Sequence, residues 1–97
     1  MIFTYSFEDE AQQQYEDAIW WYAQQSIVAA KSFINRIEDL LEVICKNPYV
    51  GKNLSKNFRE FKVKNYPYSL IYTIEEGHII VWVVFHHSMN PDNKYPE

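Results

Sequence analysis

Cysteine occurs once in the 97 residues, so no disulfide can form within the chain and a cysteine-rich zinc site is argued against. The single thiol, Cys45, falls in an apolar helical pattern and reads as a small core residue. Glycine occurs only twice while aromatic residues make up 18% of the chain, which excludes a flexible or low-complexity segment. Basic residues are outnumbered, nine Lys and Arg against 13 Asp and Glu, for a formal charge of −4. Charge-driven binding of nucleic acid needs many cations to neutralise phosphates, so this balance argues against a generic nucleic-acid binder and leaves room only for a local basic patch. No apolar run is long enough to span a bilayer and no signal peptide is legible, so the expectation is no membrane and a reducing, cytoplasmic setting. No HExxH, phosphate loop, CxxC, glycine-rich dinucleotide motif or Ser-His-Asp pattern is present, and the expectation is no cofactor and no metal. The length suits one domain, residues 1–97, with its own core.

What is present is concentrated in residues 58–91, which carry nearly all the strand signal. The pattern predicts three strands in series, at 59–63, 68–74 and 78–86. Tyr66-Pro67 separates the first two, because proline cannot donate to a ladder. Gly77, free to take a positive φ, closes a short hairpin between the last two. Upstream, residues 2–5 are rich in β-formers and predict a further strand. Ser6 then reads as the N-cap of a helix over 6–25, with Asp9 completing a capping box. Ala11, Tyr15, Ala18 and Tyr22 form its inward stripe. Ser26 caps a second helix over 26–46, whose wide apolar face comprises Ile27, Ala30, Phe33, Ile34, Ile37, Leu40, Leu41 and Ile44. Asn47-Pro48 stops it. The order is β-α-α-β-β-β, an α+β fold with a helical hairpin packed on one face of a small antiparallel sheet. Phe33, Ile37, Leu41, Ile44, Phe61 and Val63 are its expected core, and the opposite sheet face is expected to be partly open.

Side-chain alternation places Phe61 and Val63 on the helix side and Glu60, Lys62 and Lys64 on the open side, the two lysines about 7 Å apart. They read either as an edge strand protected by lysines or as a small anion-binding patch. Arg59 opens the same strand at a position where parity is unreliable. Alternation runs Ile79, Val81, Val83 and Phe85 along one face of the last strand and Ile80, Trp82 and Val84 along the other. His86 and His87 end it on opposite faces, so they cannot act as a pair, although one of them could transfer protons. On the first helix Trp20 points almost directly away from the core stripe, which marks it as an interface residue.

In order and spacing, the capped first helix, SIVAAKSF, NPYVG, FREFKV, YPYSLIY and IIVWVVFHHSMNP resemble the RelE/ParE superfamily of bacterial toxin–antitoxin toxins, the plasmid stabilisation proteins, over almost the whole chain. The resemblance implies the toxin component of a type II system, with no metal and a cognate antitoxin as partner. Two activities go with the fold. ParE-like toxins bind and inhibit DNA gyrase. RelE-like toxins are ribosome-dependent endoribonucleases that cut messenger RNA in the A site. For the second, the matching residues are Arg59, Lys62, Lys64 and His86 as the catalytic set, with Tyr95 as a late tyrosine. Ser69 stands where the catalytic members carry arginine, and Ser88 and Met89 stand where basic residues often follow the histidine. Loss of a fixed cation from a phosphodiester transition state costs on the order of a few kcal/mol. The expectation is therefore a ParE-like toxin that works by protein binding, with RNA cleavage weak or absent. The alternatives are a metal-independent RelE-like endoribonuclease and a degenerate toxin that only binds its antitoxin. Trp20 is expected in a toxin–antitoxin contact or in a homodimer.

Overall fold

The structure is a computed structural model and describes residues 3–95. The β-forming run after Phe3 makes strand β1 (Thr4–Phe7); Ile2, where the sequence pattern begins this strand, lies outside the described residues. Ser6 does not cap the first helix. It belongs to β1 and lies opposite Ile80 of the last strand, β5 (His78–His86), with its Oγ 2.7 Å from His78 Nε2. Helix α1 (Asp9–Gln25) starts after Glu8, which makes no side-chain cap bond. The ladder prevails over the capping box because it uses the backbone as far as Glu8, whose N–H donates to Val81 O at 2.9 Å. It also carries Phe7 inward to stack on Tyr15. Asp9 and Glu10 still occupy the first turn, where the helix dipole favours them.

Ser26 caps helix α2 (Ile27–Lys46) as the sequence predicts: its Oγ accepts from Ala29 N at 2.9 Å. The two helices form a hairpin over the sheet. Ala11 and Ala18 of α1 and Phe33, Ile37, Leu41, Ile44 and Cys45 of α2 are buried with Val63 and the inner face of the sheet, and Phe61 packs against them half-buried. Burial raises the Cys45 pKa, which keeps the thiol protonated and suits a packing role. Ile27, assigned by periodicity to the apolar face, is instead exposed at the hairpin tip. Among the described residues no helix is long and apolar enough to cross a membrane.

Strands β2 (Lys52–Asn53), β3 (Arg59–Lys62), β4 (Tyr68–Glu75) and β5 complete a five-stranded sheet in the order β1-β5-β4-β3-β2. The α+β arrangement is the one expected, and β3, β4 and β5 pair antiparallel. The sheet is nevertheless mixed, because β1 runs parallel to β5. The helical hairpin supplies the long crossover that such a pair requires. The β4–β5 turn is Glu76-Gly77, with φ of 46° and 82°, the paired positive values of a two-residue hairpin.

Strand β5 departs from simple alternation. Ile71 faces Val83 and Tyr72 faces Val81, so Trp82 is an extra residue, a β-bulge. Beyond it the faces exchange: Ile79, Val81 and Val84 join the helix-side core, whereas Val83 and Phe85 turn to the other side with Ile71. That second face is not left open at its centre. Leu54, Phe58, Trp82 and Met89 pack over Ile71, Val83 and Phe85. The chain end then crosses it as a 3-10 turn (Pro91–Lys94), with Lys94 Nζ 2.9 Å from Glu60 Oε1 and Tyr95 edge-on to Phe58.

Candidate functional site

Arg59 sits at the start of β3 opposite Tyr72, in register with the helix-side face. Its guanidinium donates to Gly51 O at 2.9 Å and Tyr49 O at 3.4 Å, and lies 4.9 Å over the Tyr49 ring. The Tyr72 hydroxyl donates to Pro48 O at 2.7 Å and accepts from Gly51 N at 3.0 Å. Arg59 and Tyr72 together fix the turn Pro48–Val50 and the Gly51 that follows. Burial pushes the Tyr72 pKa up, with the Gly51 N–H and the Arg59 charge acting in the opposite sense.

Lys62 lies on the second face, across from Ser69. Ser69 is buried, and its Oγ is 2.9 Å from His87 Nε2. His87 is held against the strand by its own N–H, which donates to Pro67 O. Desolvation lowers the pKa of His87, the positive charge of Lys62 lowers it further, and Glu60 opposes them. The imidazole is thus kept neutral at physiological pH beside an ammonium group. Val50, Lys52, Glu60, Lys62, Ser69 and His87 surround a shallow depression of about 370 Å³. A neutral histidine can take a proton there while Lys62 contacts an anion. The neighbouring lysine at Lys94 is committed to Glu60 and to the face of Phe85, 5.2 Å away.

His86 is on the helix side. Its ring meets Tyr68 edge-on at 4.8 Å, and its Nδ1 accepts from Ser88 N at 3.0 Å. It borders a cleft of about 480 Å³ between α1 and the ends of β4 and β5, walled by Ala18, Trp21, Tyr22 and Tyr68 with Asp17 at its rim. Gln14 closes the floor, its Oε1 accepting from Val84 N at 2.8 Å.

The four residues singled out for catalysis therefore stand apart. Arg59 braces a turn on the helix-side register, Lys62 is on the second face, and His86 is on the helix side. Lys64 is exposed in the turn after β3, next to Asn65 with φ of 70°. The histidine that accompanies Lys62 is His87. Alternation had put the two histidines on opposite faces, and the cross-strand neighbours of Lys62 were the signal that could have chosen between them. Trp20 projects from α1 and is 68% exposed.

Among the solved structures that share this fold are the following two. One is described as a chromosomal ParDE TA system from P. aeruginosa, 12% identical, with a TM-score of 0.67 over 88% of this chain and 96% of that one. The other is described as a YoeB dimer from Staphylococcus aureus, 24% identical, with a TM-score of 0.61 over 90% of this chain and 99% of that one. No curated protein is significantly similar in sequence. Residues 5–91 match the family described as the ParE toxin of the type II toxin-antitoxin system parDE, and with nearly the whole chain matched the protein belongs to that family of toxins.

Proposed function

We propose that this type II toxin acts by binding proteins, its cognate antitoxin and a target of the DNA gyrase kind, rather than by cutting RNA. On this reading residues 1–97 form one toxin domain that works in the cytoplasm, where such a target resides, and a second copy of the chain is a further partner. The observation that carries the reading is the dispersal of the cations. Arg59 is committed to Gly51 and Tyr49, Lys94 to Glu60, and a buried serine, Ser69, lies beside Lys62. Developing charge on a phosphodiester is stabilised by several fixed cations aimed at one point; of the four residues singled out for catalysis only Lys62 borders the sheet-face depression, where Lys52 joins it beside the carboxylate of Glu60. Induced expression, followed by separate measurements of translation and of plasmid supercoiling, tests the proposal. Growth arrest with altered supercoiling and intact messages is expected. Arrest with intact supercoiling and truncated messages would contradict it.

One arrangement favours a second reading, the RelE-like endoribonuclease. Lys62, Ser69 and the neutral His87 form a compact group on the sheet face. On that reading the set is Lys62 for phosphate contact and His87 for proton transfer. Cleavage on programmed ribosomes should then vanish in His87→Ala and survive in His86→Ala.

A further inference from the structure

The end of the helical hairpin combines two properties. Trp20 and Trp21 near the end of α1 and Ile27 and Val28 at the start of α2 are 68, 57, 63 and 73% exposed. No residue between 18 and 30 is charged, although the chain as a whole carries −4. An uncharged apolar end offers nothing by which a charged partner could be chosen. It can, however, meet its own copy without opposing carboxylates, which an acidic chain cannot do over most of its helical surface. Its borders carry opposite signs, Asp17 one turn before Trp20 and Lys31 one turn after Ile27. Neither takes part in an ion pair among the described residues.

We propose that this tip is the surface through which two copies of the chain form a two-fold dimer, with α1 of each crossing α2 of the other. Two-fold contacts are reciprocal, so Asp17 of each copy then faces Lys31 of the other at both rims. The tryptophans are the anchors, as buried aromatic residues commonly are at interfaces. The surface on offer is modest. A whole indole presents roughly 150–250 Å², and the exposed parts of all four residues amount to about the few hundred Å² of a large monomer patch. That is less than the roughly 800 Å² per partner of a standard interface, and the dimer is correspondingly weak, on the order of micromolar. The inference rests on the self-association included under the proposed function and adds its surface; it is independent of the toxin's target.

Sedimentation of the purified full-length chain over a concentration series reaching high micromolar tests it. The wild type should pass from monomer to dimer. Trp20→Ala combined with Val28→Ser should weaken dimerisation at least tenfold while the thermal midpoint stays in place, because both side chains are exposed. Asp17→Lys and Lys31→Asp should each weaken it, and the two together should restore it. A dimer that survives the tip variant overturns the surface and leaves self-association standing. A chain that stays monomeric overturns both. A swapped pair no tighter than either single variant overturns the crossed packing.

Discussion

Tyr72 is fully buried, and its hydroxyl serves two partners in one turn, Pro48 O and Gly51 N. Tyr72→Phe leaves both without a partner and should cost about 1–3 kcal/mol of stability, read as a shift in the urea midpoint. Gly51 is held to the same place by space rather than by conformation. A Cβ there would lie 2.5 Å from the Tyr72 hydroxyl and 3.1 Å from Glu60 O. Gly51→Ala should therefore cost about 1–3 kcal/mol, measured in the same way. His87 carries a pH dependence whose sign follows from its depressed pKa. The folded state resists the proton, so the contribution of His87 is fully present above the ordinary imidazole value. It is lost as pH falls through the lower folded value. His87→Asn should flatten that part of a stability–pH profile; the ring is largely exposed, so the effect is small. Of these residues the sequence marked Arg59 by type and order alone, and could not show that two backbone carbonyls already occupy its guanidinium. The partnership of His87 with Ser69 and Lys62 needed the β3–β4 register, which no single segment encodes.

At the scale of elements, local signals decided some boundaries and tertiary pairing decided others. Ser26 is the single residue between α1 and α2 and its side chain caps α2, so Ser26→Ala should cost about 1 kcal/mol by loss of the cap. Ser6 has the same local signature, yet its hydroxyl is engaged with His78 across the sheet. Ser6→Ala should leave the helix end intact, so hydrogen exchange at the first turn of α1 should be unchanged. The same measurement at the first turn of α2 should speed up in Ser26→Ala. Helix periodicity and the Gly77 turn were legible because each depends on neighbours a few residues away. The bulge at Trp82 was not, because an extra residue in a continuous run of apolar side chains leaves no mark in composition. It nevertheless decides which face Val83 and Phe85 serve, and so where the second apolar cluster forms. Deleting Trp82 should leave a regular strand in which Val83 follows Val81 directly, so Val83 and Phe85 keep the second face and Val84 the helix side. Cooperative unfolding should persist at a lower midpoint, because the indole and its bond to Thr73 Oγ1 are lost.

For the whole molecule, an acidic toxin of the ParE family keeps Arg59 and Lys64 away from the depression that Lys52 and Lys62 share, and gathers a modest apolar surface at the hairpin tip. The chain end lies over the sheet face on which a ribonuclease of this fold would need free positive charge, tied down by Lys94–Glu60 and by Tyr95 against Phe58. Composition had already argued against charge-driven nucleic-acid binding, and the fold ties Arg59 and Lys94 to partners within the chain. The most direct test places the purified toxin in two parallel assays, DNA supercoiling by gyrase and codon-by-codon cleavage of a message on programmed ribosomes. The account predicts inhibition of supercoiling, relieved by the cognate antitoxin, with the message left whole. Cleavage in the A site that disappears in both Lys62→Ala and His87→Ala, with supercoiling untouched, would contradict it.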